Sequence, residues 1–118
     1  MLEAQDIRVL MVDSEETWRG GQGQVALLVR GLLDEGVRVE LAAAPGSAIA
    51  ARVEEIGAAV RPLRIAGGAD ARAVWTLGSY IRDGGFDVVH CHSSHAHGAA
   101  WLAMGLARGA GWNGARPK

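Results

Sequence analysis

The stretch IRVLMVD, residues 7–13, is apolar almost throughout and rich in β-branched side chains. Continuous apolar character over this length is typical of a strand covered on both faces, as in a parallel sheet. VRVELAA (37–43), AVRPLRI (59–65) and FDVVHC (86–91) have the same character and predict three more strands. Because Pro62 cannot donate to a hydrogen-bond ladder, the third strand is expected at the edge of the sheet.

Helical periodicity separates these strands and follows the last one. The predicted helices are QGQVALLVRGLLDEG (22–36), AIAARVEEIG (48–57), ARAVWTLGSYIRDGG (71–85) and SSHAHGAAWLAMGLARG (93–109). Ser47 and Asp70 are the expected N-caps of the second and third. The alternation predicts an α/β fold, with a parallel sheet of about four strands joined by right-handed crossovers.

Composition narrows the class of protein. The chain has 118 residues, about one small domain, and its net charge of −1 gives no electrostatic footprint for nucleic acid. A single cysteine excludes an internal disulfide and fits a reducing compartment. The amino terminus does not resemble a signal peptide, and GAAWLAMGLA (98–107) is too short to span a bilayer. We expect a soluble cytoplasmic protein, with peripheral contact to a membrane surface left open.

Ligands of parallel α/β sheets bind beyond the carboxyl ends of the strands, near the point where strand order reverses. Two segments are expected at that edge: the glycines that follow the first strand and the histidines that follow the fourth. If these two strands are neighbours, the segments face each other across one cleft.

The glycines lie in RGGQGQVA (19–26), in which we expect a loop that ends at Gly21 and leads into the first helix. Glycine lets backbone amides approach an anion, and the helix amino end adds partial positive charge. The segment has the form of the dinucleotide fingerprint G-x-G-x-x-G/A, but seven residues separate Asp13 from Gly21. The acid expected at the end of the second strand is also missing, because Glu40 lies inside it. A phosphate or diphosphate contact is favoured over a stand-alone Rossmann-type NAD-binding module or a turn that only starts the helix.

Two further residues precede the glycines. Trp18 either stacks on a sugar or base or covers an edge of the core, and Arg19 follows it directly. We include both among the candidate substrate-binding residues. Gly21 could in addition be needed for its backbone angles.

All four histidines and the only cysteine lie in FDVVHCHSSHAHG (86–98). Because side chains alternate along a strand, His90 and His92 are expected on one face and Cys91 on the other, as a small buried hydrophobe. Three imidazoles could bind a transition metal, but the spacing matches no familiar zinc pattern, and we expect no metal. The alternative is that His90 packs against the core while the two helical histidines are solvated.

His92 differs from the other histidines because it lies at the predicted end of the strand, opposite the glycines. A histidine there can donate to a phosphate or to a substrate hydroxyl. Ser93 and Ser94, at the start of the next helix, can add contacts to an anion or a hydroxyl.

Three segments together resemble the amino-terminal domain of glycosyltransferase family 4. They are WRGGQGQV (18–25), GLLDEGVRVEL (31–41) and FDVVHCHSSHA (86–96). The resemblance runs from Ile7 to about Arg116. It implies a retaining enzyme with the two-domain GT-B fold, of which residues 1–118 form part of the amino-terminal, Rossmann-like domain.

The resemblance also implies roles for individual residues. This domain mainly holds the acceptor, and a carboxyl-terminal domain mainly holds the nucleotide-sugar donor. Gly20 and Gly21 would lie close to the donor diphosphate. His92 matches best the histidine that approaches the transferred sugar, and His95 is the second candidate. The resemblance implies no metal or other cofactor, and its acceptors are glycans, lipids or small molecules.

Some family features are missing or altered. The basic pair and the glutamate motif that hold the donor belong to a carboxyl-terminal domain, whereas this sequence stops at Lys118. Gln22 follows the paired glycines, and the segment around Trp112 and Asn113 is irregular for the family. We therefore expect the chain alone to be inactive. We also expect an exposed sheet edge, uncovered apolar surface and a tendency to self-associate. A small interaction domain without chemistry is the remaining alternative.

Overall fold

The computed structural model describes residues 3–14, 20–66, 70–92 and 94–109. Strands and helices alternate, as the sequence predicts. In chain order they are β1 (Arg8–Val12), α1 (Gly20–Asp34), β2 (Arg38–Ala43), α2 (Ala48–Ile56), β3 (Ala59–Pro62), α3 (Ala71–Gly84), β4 (Val88–Cys91) and α4 (Ser94–Gly109). A short 3₁₀ turn, Ala4–Asp6, precedes β1.

The four strands form one parallel sheet in the order β3-β2-β1-β4. β1 lies between β2 and β4, and Val9 is in register with both Val39 and Val88. β3 is at an edge, as Pro62 predicts, and β4 is at the other edge of the described sheet. Chain order reverses between β1 and β4, so the first and fourth strands are neighbours and their carboxyl ends mark the switch point.

Apolar side chains cover both faces of the sheet, which explains why the strands read as continuous apolar runs. β1 shows the alternation, since Leu10 and Val12 face one core and Val9 and Met11 face the other. On the α1–α2 side the largest buried partners are Val25, Val29, Leu41, Ile49 and Val53. On the α3–α4 side they are Leu77, Ile81, Phe86 and Val89, packed against small residues of α4.

Both predicted N-caps are confirmed. The side chain of Ser47 accepts a hydrogen bond from the Ala50 amide at 3.3 Å, and that of Asp70 accepts one from the Ala73 amide at 3.2 Å. These contacts satisfy amides that the first turn of a helix leaves without a partner. Gly57 ends α2 in the left-handed region, with φ of 111°.

The segment between Phe86 and β4 differs from the prediction, because the strand begins at Val88 rather than at Phe86. Phe86 instead packs against the end of α3, so closely that a Cβ added to Gly84 would lie 2.8 Å from its Cδ2 atom. Asp87 still joins the sheet, since its amide donates to the Arg8 carbonyl and its carboxylate accepts from the Arg8 amide.

A charged cluster lies near the amino ends of the strands, on the α3–α4 side. We call Arg8, Glu40, Arg61 and Phe86 the amino-end cluster. Oε1 of Glu40 accepts a hydrogen bond from Nε of Arg61 at 2.7 Å. Oε2 of Glu40 lies 3.7 Å from Nη2 of Arg8. Both guanidinium groups lie over the Phe86 ring, at 5.3 and 5.6 Å from its centroid.

Within the described residues, no helix is both long and apolar enough to cross a membrane.

Candidate active site at the carboxyl edge of the sheet

The carboxyl ends of β1 and β4 bring two residues of the sequence together. The Asp13 amide donates to the Ala42 carbonyl at 3.1 Å, and the His92 amide donates to the Val12 carbonyl at 3.0 Å. Each residue therefore continues the ladder one step beyond the last strand residue. The expectation that His92 sits at the strand end beside the first strand is met by this geometry.

A buried polar pair connects this edge to α1. Gln22 donates from Nε2 to Oδ2 of Asp13 at 3.1 Å, and the two residues are 3% and 0% exposed. A buried carboxylate needs such hydrogen bonds to offset the loss of hydration. The pair holds the first turn of α1 against the end of β1.

His90 and His92 share one face, as strand alternation predicts, and their rings stack with centroids 4.4 Å apart. Burial lowers the pKa of His92 below its usual 6.5 because it disfavours the imidazolium. Proximity to His90 lowers this pKa further, whereas the Asp13 carboxylate opposes both effects. The His92 ring is therefore neutral at pH 7. Its Nε2 atom is buried and has no hydrogen-bond partner among the described residues.

The glycines differ from the predicted loop. α1 begins at Gly20, so both glycines lie in its first turn, two residues earlier than expected. Gly21 is exposed and has ordinary helical backbone angles, so it is not needed for a special conformation. A Cβ added to Gly21 would meet nothing within 4 Å. Among the described residues, nothing packs against this side of the first turn of α1, where the helix amides and dipole favour an anion. Trp18 and Arg19 lie outside the described residues.

The start of α4 contributes fewer described side chains to this site than β1, α1 and β4 do. Ser93 lies outside the described residues, and Ser94 is the first residue of α4, although its side chain is not described. His95 and His97 are both exposed on α4 and are not part of the stacked histidine pair. The structure thus places His92, and not His95, at the end of β4 beside β1, where it lies near the Asp13 carboxylate.

Cys91 faces away from the histidines and packs against the α3–α4 core, as predicted. Burial raises the pKa of its thiol to about 11, so the thiolate that nucleophilic chemistry needs is not populated at neutral pH. Within the described part of the chain, no group of three His, Cys, Asp or Glu residues could hold a metal ion.

The end of β2 bears on the dinucleotide alternative. Ala42, Ala43 and Ala44 are all buried there and offer no side chain to a ribose. Glu40, the acid nearest in sequence, is held by Arg61 in the amino-end cluster. The ribose contact of the dinucleotide fingerprint therefore has no candidate in β2.

Two residues of this site were not among the predicted ones. Asp13 is completely buried. The sequence hints at this only by placing an acid directly after an apolar strand. For Gln22 the sequence offers only its position after the paired glycines. We call Asp13, Gln22, His90 and His92 the carboxyl-end cluster.

Comparison with known protein families identifies the family to which the chain belongs. The profile of the glycosyl transferase 4-like domain matches residues 19–112, most of the chain. The chain belongs to this glycosyltransferase family. The predicted resemblance is confirmed, and the matched segment includes the start of α1 and the whole of β4. No curated protein matches the chain.

Solved structures share the fold. They include Anabaena HepE in complex with UDP (TM-score 0.68, 14% identity, 86% of this chain and 27% of that chain). Acinetobacter baumannii MurG has a TM-score of 0.67 at 16% identity, over 85% of this chain and 32% of that chain. A glycosyltransferase from Rickettsia africae has a TM-score of 0.68 at 14% identity, over 94% of this chain and 28% of that chain. The fold is thus the Rossmann-like one of GT-B glycosyltransferases, and the chain spans about a third or less of each structure.

Proposed function

We propose that residues 1–118 form part of the acceptor-side domain of a retaining glycosyltransferase of the hexosyltransferase type. The enzyme would transfer a sugar from a nucleotide-sugar donor to a glycan, lipid or small-molecule acceptor. The bond from the anomeric carbon to the donor phosphate breaks, a bond to an acceptor oxygen forms, and the nucleoside diphosphate and the proton of the acceptor hydroxyl are released. The family assignment supports the reaction class, and the carboxyl-end cluster supports the location.

The observation that carries this proposal is that Nε2 of His92 is buried and has no hydrogen-bond partner among the described residues. A neutral imidazole can donate or accept one hydrogen bond at Nε2, depending on its tautomer. A buried polar atom without a partner costs free energy, and that cost is removed when a ligand supplies one. We propose that a hydroxyl of the transferred sugar is this ligand, reached when the His92 ring turns toward the cleft, so His92 is the catalytic residue of this domain.

The donor diphosphate would bind at the amino end of α1. Gly20 and Gly21 lie in the first turn of α1, where Gly21 is exposed, and Trp18 and Arg19 precede them in the chain. Anabaena HepE has been solved with UDP and glucose, which makes uridine diphosphate sugars the first donors to try. Ser93, Ser94 and His95, at the start of α4, would contact the sugar or the acceptor.

We propose that transfer needs no metal or other cofactor, because helix dipoles and basic side chains can stabilise a departing diphosphate. The enzyme would work in the cytoplasm, with peripheral contact to the inner face of the membrane. A carboxyl-terminal domain would supply the remaining donor contacts, so the 118-residue chain would be inactive alone.

The test is a screen of nucleotide sugars for nucleotide release, with the full-length enzyme and the 118-residue chain assayed side by side. We expect release by the full-length enzyme, with or without EDTA, and none by the chain. Release by the chain alone would contradict its assignment as an acceptor-side portion. Loss of release in EDTA, restored by a divalent cation, would contradict the metal-free reaction.

A further inference from the structure

The hydrogen bond between Gln22 and Asp13 lies between the proposed diphosphate site and His92. Gln22 is in the first turn of α1, and Asp13 directly follows the last residue of β1. Both side chains are buried, and Nε2 of Gln22 donates to Oδ2 of Asp13 at 3.1 Å. The proposed reaction itself uses neither side chain. A buried and satisfied polar pair of this kind fixes the geometry of the elements that it joins.

The first turn of α1 depends on this hydrogen bond because the turn is rich in glycine. Gly20, Gly21 and Gly23 all lie in it, and glycine loses more backbone freedom in a helix than other residues do. Nothing lies within 4 Å of the position that a Cβ of Gly21 would take. Gln22 is the one residue of GGQG (20–23) that has a side chain. Its hydrogen bond to Asp13 is therefore the side-chain contact that can hold this turn in place.

Asp13 gives this hydrogen bond a fixed anchor in the sheet. Its amide donates to the Ala42 carbonyl at 3.1 Å, which ties the end of β1 to β2. On the other side of β1, the His92 amide donates to the Val12 carbonyl at 3.0 Å. The Asp13 carboxylate lies close enough to His92 to raise the pKa of that ring, and His92 in turn stacks on His90. Asp13 thus joins the start of α1 to the strand ends beside His92.

We propose that Gln22 is a positioning residue, which holds the first turn of α1 on the end of β1 so that the turn is already formed when the donor diphosphate binds. This inference rests on the proposed function for the identity of the ligand, and it gives Gln22 no contact with the reacting atoms. Without the hydrogen bond, the glycine-rich turn would have to be ordered during binding. That ordering would lower the affinity for the donor.

The pair requires one donor and one acceptor, which makes its two positions interdependent. An ionised carboxylate only accepts hydrogen bonds, whereas an amide can both donate and accept. Gln22→Glu would therefore bring two carboxyl groups together in a buried site, where their charges repel. In the double variant Asp13→Asn/Gln22→Glu the two groups change places, so the amide at position 13 can donate to the carboxylate at position 22.

The test is the donor KM of the full-length enzyme, measured at about pH 7.5, where the low pKa of His92 keeps its ring neutral. Gln22→Ala should raise the donor KM by about tenfold, the effect of one buried hydrogen bond. Its kcat should stay within about threefold of the wild type, because binding of the ground state and of the transition state weaken together. Gln24→Ala is the matched control, since Gln24 is exposed on the same helix, and it should change neither value. Gln22→Glu should also raise the donor KM, and the double variant should return it to within about threefold of the wild type.

Hydrogen exchange of the 118-residue chain tests the same contact without a donor. In the first turn of a helix that starts at Gly20, the amides of Gln24 and Val25 bond to the carbonyls of Gly20 and Gly21. Relative to their intrinsic rates, Gln22→Ala should speed the exchange of these amides by about tenfold. Alanine is the better helix former, so helix propensity alone predicts slower exchange. Gln24→Ala should not speed it.

The two measurements separate this inference from the proposed function. A wild-type donor KM in Gln22→Ala, with a wild-type circular dichroism spectrum, would overturn the positioning role and leave the proposed function intact. The same holds if the double variant is no better than Gln22→Glu, a comparison that does not require Gln22→Ala to fold. Exchange no faster in Gln22→Ala than in Gln24→Ala would also overturn the inference. Faster exchange in an enzyme that uses no nucleotide sugar would contradict the proposed function, while the hold of Gln22 on the first turn would stand.

Discussion

The two ends of the parallel sheet use their polar groups in different ways. In the amino-end cluster, Glu40 meets the charges of Arg61 and Arg8, and the Phe86 ring lies beneath both guanidinium groups. In the carboxyl-end cluster, Asp13 and Gln22 are satisfied by hydrogen bonds, but Nε2 of His92 has no partner among the described residues.

The comparison distinguishes polar groups that stabilise the fold from a polar group that we expect to bind a ligand. A buried nitrogen without a partner also occurs at the amino end, at Nε of Arg8, but the charge of that guanidinium is met by Glu40. No group in the described chain forms a hydrogen bond with Nε2 of His92. We therefore expect mutations of the amino-end cluster to change stability, and mutations of His92 to change activity.

The largest expected effect is that of His92→Ala on sugar transfer by the full-length enzyme. We expect kcat to fall by about 10²- to 10⁴-fold, as when a positioned hydrogen-bonding group is removed from a transition state. His97→Ala is the control, because His97 is exposed on α4, and its kcat should match the wild type. Equal rates for the two variants would remove the functional distinction between the clusters.

A matched pair of helical glycines gives the next largest effect, measured by urea unfolding of the chain. Gly84→Ala forces a Cβ against the buried Phe86 ring and should lower the free energy of unfolding by about 1–3 kcal/mol. Gly21→Ala meets open space and should leave it unchanged or slightly higher. In the full-length enzyme, Gly21→Ala should instead impair use of the donor. A stability loss at Gly21 would show that the start of α1 is packed rather than open.

Glu40→Gln tests the amino-end cluster directly. The variant leaves two arginines without their counter-charge, in a site that is only partly exposed. We expect the free energy of unfolding to fall by about 1–2 kcal/mol, less than for a fully buried pair. The kcat of the full-length enzyme at a temperature well below the unfolding transition should be unchanged. A tenfold loss of kcat would mean that this cluster also serves catalysis.

The smallest expected effect is on the pH dependence of stability. The folded state holds the pKa of His92 below 6.5, so the unfolded chain binds its proton first as the pH falls. The His92 contribution to the free energy of unfolding is therefore full above pH 6.5. It declines below that value until the folded imidazole is protonated as well. His92→Gln should remove this part of the slope, and His97→Gln should retain it. The same slope in both variants would contradict the burial of His92.

Local pattern was sufficient for most of the fold. Apolar runs predicted the four strands, the caps Ser47 and Asp70 followed from residue type, and Pro62 placed β3 at an edge. The strand order needed one more condition, the neighbouring positions of β1 and β4, which pattern alone left open. Each of these features depends on residues close together in the sequence or on a general rule for parallel sheets.

The site was only partly predictable, because its decisive contacts join separate elements. Strand alternation placed His90 and His92 on one face, but no local signal pairs Gln22 with Asp13 across the start of α1. That pair accompanies the earlier start of α1, in which Gly20 and Gly21 are helical rather than looped. Propensity argues against glycine in a helix, and tertiary contacts override it here.

The most direct test of the account is a crystal structure of the full-length enzyme with its nucleotide-sugar donor bound. The account predicts that His92 Nε2 lies within hydrogen-bond distance, about 3 Å, of a hydroxyl of the transferred sugar. It also predicts that the diphosphate faces the amides of Gly20 and Gly21. A donor bound away from this edge, or a protein group that occupies the hydrogen-bonding position of His92 Nε2, would contradict it.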